Sequence, residues 1–153
     1  MMETAKAALV RQPTVLFVDD DADLTRSIAL ALRRAPFRTL TTNAPEAALA
    51  LLASEHVDVV VSDDQMPGMS GAELLTVVRS RYPSLMRILL TGQQDIRRAM
   101  NAVNDASVFR FLLKPCDTQS LVATVEAALA AKAELAPEPG HDGKLLDDWI
   151  GQL

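Results

Sequence analysis

Short apolar runs alternate with segments of helical period along this chain, and that alternation restricts the fold more than any other feature. Strongly apolar runs occupy residues 14–18, 57–62, 86–90 and 108–113, and a weaker alternating strand is expected at 37–41. Strands separated by single helices must lie parallel with right-handed crossovers. At 153 residues and 49% apolar composition, the chain suits one domain with a full core. We therefore predict an α/β fold: (βα)5, a doubly wound five-stranded parallel sheet.

Polar side chains follow the apolar runs at the point where each strand should end. Asp19 and Asp20 follow the run 14–18, Asp63 follows the run 57–62, and Thr91 and Lys114 follow the last two runs. Ligands of such sheets bind outside the carboxyl ends of the strands, where the strand order reverses. These five side chains should therefore lie together. Carboxylate oxygens suit Mg²⁺, and a lysine beside a hydroxyl suits a phosphoryl group.

Helix starts and stops fit this plan. Asn43 and Pro45 predict a capped start for the second helix. Ile96, Met100 and Val103 are spaced as on a short fourth helix.

Bulk composition excludes several classes of function. The formal net charge of −5 argues against nucleic-acid binding. Charged residues interrupt every apolar stretch before it reaches membrane-spanning length, and residues 1–12 lack the pattern of a signal peptide. Cys116 is the only cysteine, so no internal disulfide is possible, which fits a reducing compartment. We expect a cytoplasmic protein with no nucleic-acid or membrane partner.

Four segments together resemble the receiver domain of two-component response regulators. They are VLFVDDD (15–21), SDDQMPGMSG (62–71), LTG (90–92) and FLLKP (111–115). The resemblance covers about residues 13–133 and implies a flavodoxin-like topology with strand order 2-1-3-4-5. It leaves residues 1–12 as an N-terminal extension and 134–153 as an acidic tail or the start of a linker.

The resemblance implies a role for each acid of the cluster. Asp63 stands at the family's spacing before Met66 and Pro67, so it is the expected phosphoacceptor. Asp19, Asp20, Asp63 and the backbone carbonyl of Gln65 are the expected ligands of Mg²⁺, with Mn²⁺ as a substitute.

The same resemblance implies roles for five further groups. Thr91 and Lys114 are expected to contact the phosphoryl oxygens. Thr91 and Phe111 occupy the family's switch positions, and Phe111 has no hydroxyl, so any switch must depend on packing. Gln65 and Gln93 lie at the flanking positions that tune the lifetime of the phosphate.

The implied function is a signalling switch rather than an enzyme acting on an external substrate. The expected phosphoryl donor is the phosphohistidine of a histidine kinase or phosphotransfer protein. The receiver catalyses its own phosphorylation and dephosphorylation. Phosphorylation would then change the surface from about Asp95 to Leu129, formed by the fourth helix, last strand and last helix, for dimerisation or partner binding.

Two alternatives remain from the residues. Asp21, Asp23 and Thr25 match the DxDx(T/V) pattern of haloacid-dehalogenase-like phosphatases, although Asp19 and Asp20 separate it from the strand. That interpretation leaves Asp63 and the segment Met66-Pro67-Gly68 unexplained. The other alternative is a degenerate receiver used only as a binding module, which the complete set of expected site residues disfavours.

Overall fold

One parallel sheet forms the centre of the molecule. The computed structural model describes residues 11–97, 100 and 106–135. The strands are β1 (Thr14–Val18), β2 (Arg38–Thr42), β3 (Val59–Asp63), β4 (Met86–Thr91) and β5 (Arg110–Leu113). Their order is β2-β1-β3-β4-β5, and every neighbouring pair is parallel. The predicted fold class and strand order are confirmed.

Helices connect the strands. They are α1 (Ala22–Ala31), α2 (Pro45–Ser54), α3 (Gly71–Arg81) and a final helix (Thr118–Leu135), with a 3-10 turn at Gln93–Asp95. Two residues of the predicted fourth helix, Ile96 and Met100, are helical, whereas Val103 lies outside the described residues. Among the helices that the structure describes, none has both the length and the hydropathy to cross a membrane.

Helices cover both faces of the sheet, and β1 shows the division. Val15 and Phe17 pack with residues of α1 and the final helix, while Leu16 and Val18 pack with residues of α2 and α3. All four side chains are at most 1% exposed. A strand buried on both faces is apolar at consecutive positions, as these runs are.

The strand β5 lies at the edge of the sheet and is shorter than the apolar run from which it was predicted. It contains four residues, Arg110–Leu113, of which Phe111 is 37% exposed and Leu113 is 38% exposed. An edge strand has a neighbour on one side only, so its side chains gain less cover than those of β3.

The predicted start of the second helix is partly wrong. Pro45 is in the first turn of α2, as expected, but Ala44 is the N-cap residue and makes no side-chain cap bond. The Asn43 amide instead donates to the carbonyl of Asp19 at 2.9 Å and to the hydroxyl of Thr25 at 2.8 Å. Asn43 therefore fixes the chain between β1 and α1, beside the acid cluster.

At the amino edge of the sheet, the carboxylate of Asp58 binds groups from several distant segments. Its carboxylate accepts from Arg11 at 3.0 Å, Lys132 at 2.9 Å and the backbone N–H of Thr14 at 2.9 Å. The ring of His56 lies 3.3 Å away. These contacts tie the segment before β1 and the end of the final helix to β3.

Candidate functional site

Three carboxylates meet at the carboxyl edge of the sheet. Asp19 follows β1 and Asp63 ends β3, and these strands are neighbours. Asp19 is 3% exposed and Asp63 is 6% exposed, whereas Asp20 is exposed to solvent. Oxygens of the three carboxylates lie within 4.8 Å of one another. The predicted convergence of these acids is confirmed.

The ammonium of Lys114 lies between the two buried carboxylates. Its Nζ is 2.8 Å from Oδ1 of Asp63 and 3.2 Å from Oδ2 of Asp19. The backbone N–H of Lys114 donates to the carbonyl of Thr91 at 2.8 Å, which aligns the end of β5 with the end of β4. The peptide bond from Lys114 to Pro115 is cis.

The crowding of these charges shifts two pKa values. Burial raises the pKa of Asp63, and the charges of Asp19 and Asp20 raise it further, while Lys114 opposes both effects. Burial alone would lower the pKa of Lys114, but its bonds to Asp63 and Asp19 outweigh that and raise it. Lys114 therefore stays protonated, and Asp63 ionises less readily than a free aspartate does, even with Lys114 beside it.

Thr91 and Phe111 occupy different environments. Thr91 ends β4, is 1% exposed, and its hydroxyl donates to the carbonyl of Gly92 at 3.4 Å. Phe111 lies opposite Leu89 in the register of β5 with β4, and the residue is 37% exposed. Thr91 thus lies at the strand end beside Lys114, and Phe111 lies on the outer strand.

The two glutamines expected to tune the phosphate lie on neighbouring loops. Gln65 follows β3, and its Nε2 donates to Oδ2 of Asp95 at 2.8 Å. Gln93 begins the 3-10 turn after β4, but its side chain lies outside the described part of the structure.

Asp64 and Gly71 join the end of β3 to the start of α3, next to the acid cluster. Asp64 is 1% exposed, and its carboxylate accepts from the backbone N–H of Ala72 at 3.2 Å in the first turn of α3. A Cβ atom on Gly71 would overlap the backbone carbonyl of Asp63. The sequence places Gly71 in a turn but does not reveal this close approach. The glycine at the first position of a helix is the signal that was available.

The residues of the phosphatase-like pattern serve other purposes. Asp21 is the N-cap of α1, and its carboxylate accepts from the N–H groups of Asp23 and Leu24. Asp23 pairs with Arg26 on the surface at 3.4 Å. Within the part of the chain that the structure describes, the acid cluster consists of Asp19, Asp20 and Asp63. The phosphatase interpretation has no structural support.

The cluster suits a hard divalent cation. Three carboxylates face one ammonium, so negative charge is in excess. Oxygen donors at a partly open edge match the preference of Mg²⁺, which keeps several waters and accepts a phosphate oxygen as a ligand.

Comparison with known proteins agrees with this geometry. Residues 15–126 match the family model described as the response regulator receiver domain. The chain is 40% identical over 125 residues to the hydrogenase transcriptional regulatory protein HoxA of Cupriavidus necator, covering 80% of this chain and 25% of that protein. It is 37% identical over 116 residues to the DNA-binding transcriptional regulator NtrC of Salmonella typhimurium, covering 76% of this chain and 24% of that protein.

A solved structure extends the comparison to the fold. The signal receiver domain of an HD domain-containing protein from Pseudomonas fluorescens matches with a TM-score of 0.77 and 35% identity, covering 81% of this chain and 99% of that one. The chain spans about a quarter of the length of the curated relatives it matches. It belongs to the response regulator receiver domain family, whose members act as phosphoacceptors in two-component signalling.

Proposed function

We propose that Asp63 is the residue that accepts the phosphoryl group. The observation that carries the proposal is the position of Lys114, whose Nζ lies 2.8 Å from Asp63 and 3.2 Å from Asp19. Asp63 ends the central strand β3, so its carboxylate is held by the sheet rather than by a loop. Asp64, the neighbouring acid, is engaged with the first turn of α3 and is not proposed to react.

The metal ligands in this proposal are Asp19, Asp20, Asp63 and the backbone carbonyl of Gln65. The mutual distances of the three carboxylates, within 4.8 Å, support this set. Mg²⁺, or Mn²⁺ in its place, would supply positive charge that offsets the phosphoryl oxygens during transfer.

The transfer step follows from these positions. An oxygen of Asp63 forms a bond to phosphorus while the phosphorus–nitrogen bond of a donor phosphohistidine breaks, and the electron pair leaves with the imidazole. Lys114 exchanges its contact with the free carboxylate for one with a phosphoryl oxygen. The hydroxyl of Thr91, now directed at the carbonyl of Gly92, turns to a second phosphoryl oxygen. Hydrolysis later restores the carboxylate, so the receiver catalyses both steps on itself.

The output of the switch is proposed to run through Thr91 and Phe111. Movement of Thr91 toward the phosphoryl group frees space near β5, and the partly exposed ring of Phe111 can repack there. The surface from about Asp95 to Leu129 would then favour dimerisation or partner binding. Part of that surface, residues 98–99 and 101–105, lies outside the described residues. The phosphoryl donor would be a histidine kinase or phosphotransfer protein in the cytoplasm.

Intact mass after incubation with Mg²⁺ and acetyl phosphate tests the proposal. The wild type should gain a phosphoryl group that is stable in acid and labile in base, and Asp63→Asn should not. Lys132→Met is the matched control for Lys114→Met, because each removes an ammonium that binds carboxylate but Lys132 lies at the opposite edge. We expect phosphorylation to slow about 100-fold in Lys114→Met, as when one oxyanion donor is removed, and to be retained in Lys132→Met.

The binding-module alternative makes the opposite prediction. If neither wild type nor Asp63→Asn gained mass, and both bound a partner equally, the chain would act without phosphorylation. The proposal would then be wrong, although the fold and the family would stand.

A further inference from the structure

One side-chain hydrogen bond joins the loop after β3 to the turn after β4. Nε2 of Gln65 donates to Oδ2 of Asp95 at 2.8 Å. Gln65 closely follows Asp63, and Asp95 closely follows Thr91. The bond therefore connects the segment of the proposed phosphoacceptor with the segment of the proposed switch hydroxyl.

The acceptor side of this bond is held by the backbone. Asp95 closes the 3-10 turn Gln93–Asp95, and its N–H donates to the carbonyl of Gly92 at 3.0 Å. Its position is therefore set by the end of β4 rather than by a long loop. Gln65, in contrast, is exposed, and an exposed glutamine without a partner samples several rotamers. The contact with Asp95 selects one of them.

We propose that Asp95 is a positioning residue that holds the carboxamide of Gln65, two residues after Asp63, in a fixed orientation and thereby sets the lifetime of the aspartyl phosphate. Hydrolysis of that phosphate requires a water oxygen to bond to phosphorus while the bond from phosphorus to the Asp63 oxygen breaks. The carboxylate leaves with the electron pair, and the water proton passes to solvent. A carboxamide on the loop that follows Asp63 can direct that water only while its own orientation is fixed. The inference depends on the proposed function of Asp63.

A double-mutant cycle on phosphate lifetime tests the coupling. Wild type, Gln65→Ala, Asp95→Ala and the double variant are phosphorylated, the donor is removed, and the loss of phosphoryl mass is followed. Each single change should shift the rate of loss about threefold to tenfold, the range for one hydrogen bond, and in the same direction. The double variant should match the single variants, because either change alone removes the contact.

Asp95→Asn separates the hydrogen bond from the charge. Asparagine keeps an acceptor oxygen for Gln65 but removes the negative charge, so its phosphate lifetime should stay near that of the wild type. The midpoint of thermal unfolding serves as the second readout. If the phosphate lifetime changes in Asp95→Ala but not in Asp95→Asn, and the two variants unfold at the same temperature, Asp95 acts by positioning Gln65. The change in lifetime is then not caused by a general loss of structure.

Three results would overturn the inference while leaving Asp63 as the phosphoacceptor. They are an unchanged lifetime in Asp95→Ala, additive effects in the double variant, or a lifetime in Asp95→Asn equal to that in Asp95→Ala. A wild type that takes up no phosphoryl group would overturn the proposed function itself and the inference with it. The uptake measured at the start of each time course therefore distinguishes the two failures.

Discussion

At the scale of single residues, the main feature of the site is repulsion between closely spaced carboxylates. Asp19 and Asp63 are nearly buried side by side, and Asp20 adds a third carboxylate at the surface. Lys114 neutralises part of this charge through two short contacts. The remaining excess disfavours the ionised form of Asp63 and favours the arrival of a cation or an electrophilic phosphorus atom.

The burial of Asp63 and its repulsion by the neighbouring carboxylates predict that Asp63→Asn stabilises the protein at neutral pH without metal. The pKa of Asp63 is raised above its ordinary 3.8 in the folded state, so the folded protein binds this proton more tightly than the unfolded chain does. Ionising Asp63 therefore lowers the free energy of unfolding as the pH rises from 3.8 through the folded pKa. Asparagine removes that cost.

Urea unfolding at several pH values measures the effect. The gain from Asp63→Asn should be present at neutral pH and vanish once the pH falls below the ordinary pKa of aspartate. Asp23→Asn, which changes an exposed acid, should alter the free energy of unfolding by less than about 0.5 kcal/mol. An Asp63→Asn variant that is less stable than wild type at neutral pH would contradict this electrostatic description.

At the scale of elements, the start of α3 presses on the end of β3. Gly71 begins the helix against the carbonyl of Asp63, and its N–H donates to the carbonyl of Asp64 at 2.8 Å. Ser70 and Glu73 form a capping box that fixes this end of the helix. The helix start and Asp63 therefore share one backbone contact.

Gly71→Ala should lower the free energy of unfolding by about 1–3 kcal/mol, the usual cost of overpacking. The methyl group would overlap backbone that cannot move without shifting Asp63, so phosphorylation should slow as well. Gly92→Ala is the matched control, because a Cβ atom there meets its nearest neighbour, an oxygen of Asp95, at an ordinary 3.8 Å. Urea unfolding and the rate of phosphoryl uptake are the measurements. Equal stability of the two alanine variants would show that the contact at Gly71 relaxes freely.

On β4, the buried side chain of Arg87 binds backbone carbonyls of neighbouring segments. Its guanidinium donates to the carbonyls of Ala106 and Leu85, both at 2.8 Å, and to that of Ser107 at 3.2 Å. These bonds anchor the segment that enters β5, the strand leading to Lys114. Burial, with the nearby charge of Arg79, lowers the pKa of Arg87.

At the scale of the whole molecule, Asp58 is a stabilising ionised group at the edge of the sheet opposite the acid cluster. Burial alone would raise its pKa, but the bonds from Arg11, Thr14 and Lys132 outweigh burial and hold the pKa well below the ordinary value. The stabilisation is present above the unfolded pKa and is lost as the pH falls below it toward the folded pKa.

Asp58→Asn should lower the free energy of unfolding at neutral pH by about 1–3 kcal/mol, as expected for hydrogen bonds to a charged group. Urea titrations should show this difference shrinking below the ordinary aspartate pKa of 3.8. Glu55→Gln is the control, since its pair with Arg38 is 38% and 48% exposed and contributes less than about 1 kcal/mol. A pH-independent loss in Asp58→Asn would indicate that charge is not the source of the stabilisation.

The sequence predicts those parts of the molecule that follow from periodicity and topology. Apolar runs with single helices between them require a parallel sheet, and the sheet brings Asp19, Asp63 and Lys114 to one edge. Contacts between side chains that lie far apart in the sequence have no such signal. Asp58 meets Lys132 across 74 positions, and Gln65 meets Asp95 across 30.

Asn43 shows a second limit. An asparagine shortly before a proline is a sound local prediction of a helix cap. The Asn43 side chain instead donates to groups outside α2, so it does not cap that helix. Edge position likewise exposes Phe111, although an apolar run does not distinguish an edge strand from a central one.

Among the neighbouring acids, Asp63 is the one that we propose carries the phosphoryl group. Borohydride reduction of the phosphorylated protein converts an acyl phosphate to an alcohol, and peptide mapping then identifies the residue. We predict homoserine at position 63 and unchanged aspartate at Asp19, Asp20 and Asp64. Homoserine at any of those three positions, with Asp63 intact, would show that another acid is the phosphoacceptor.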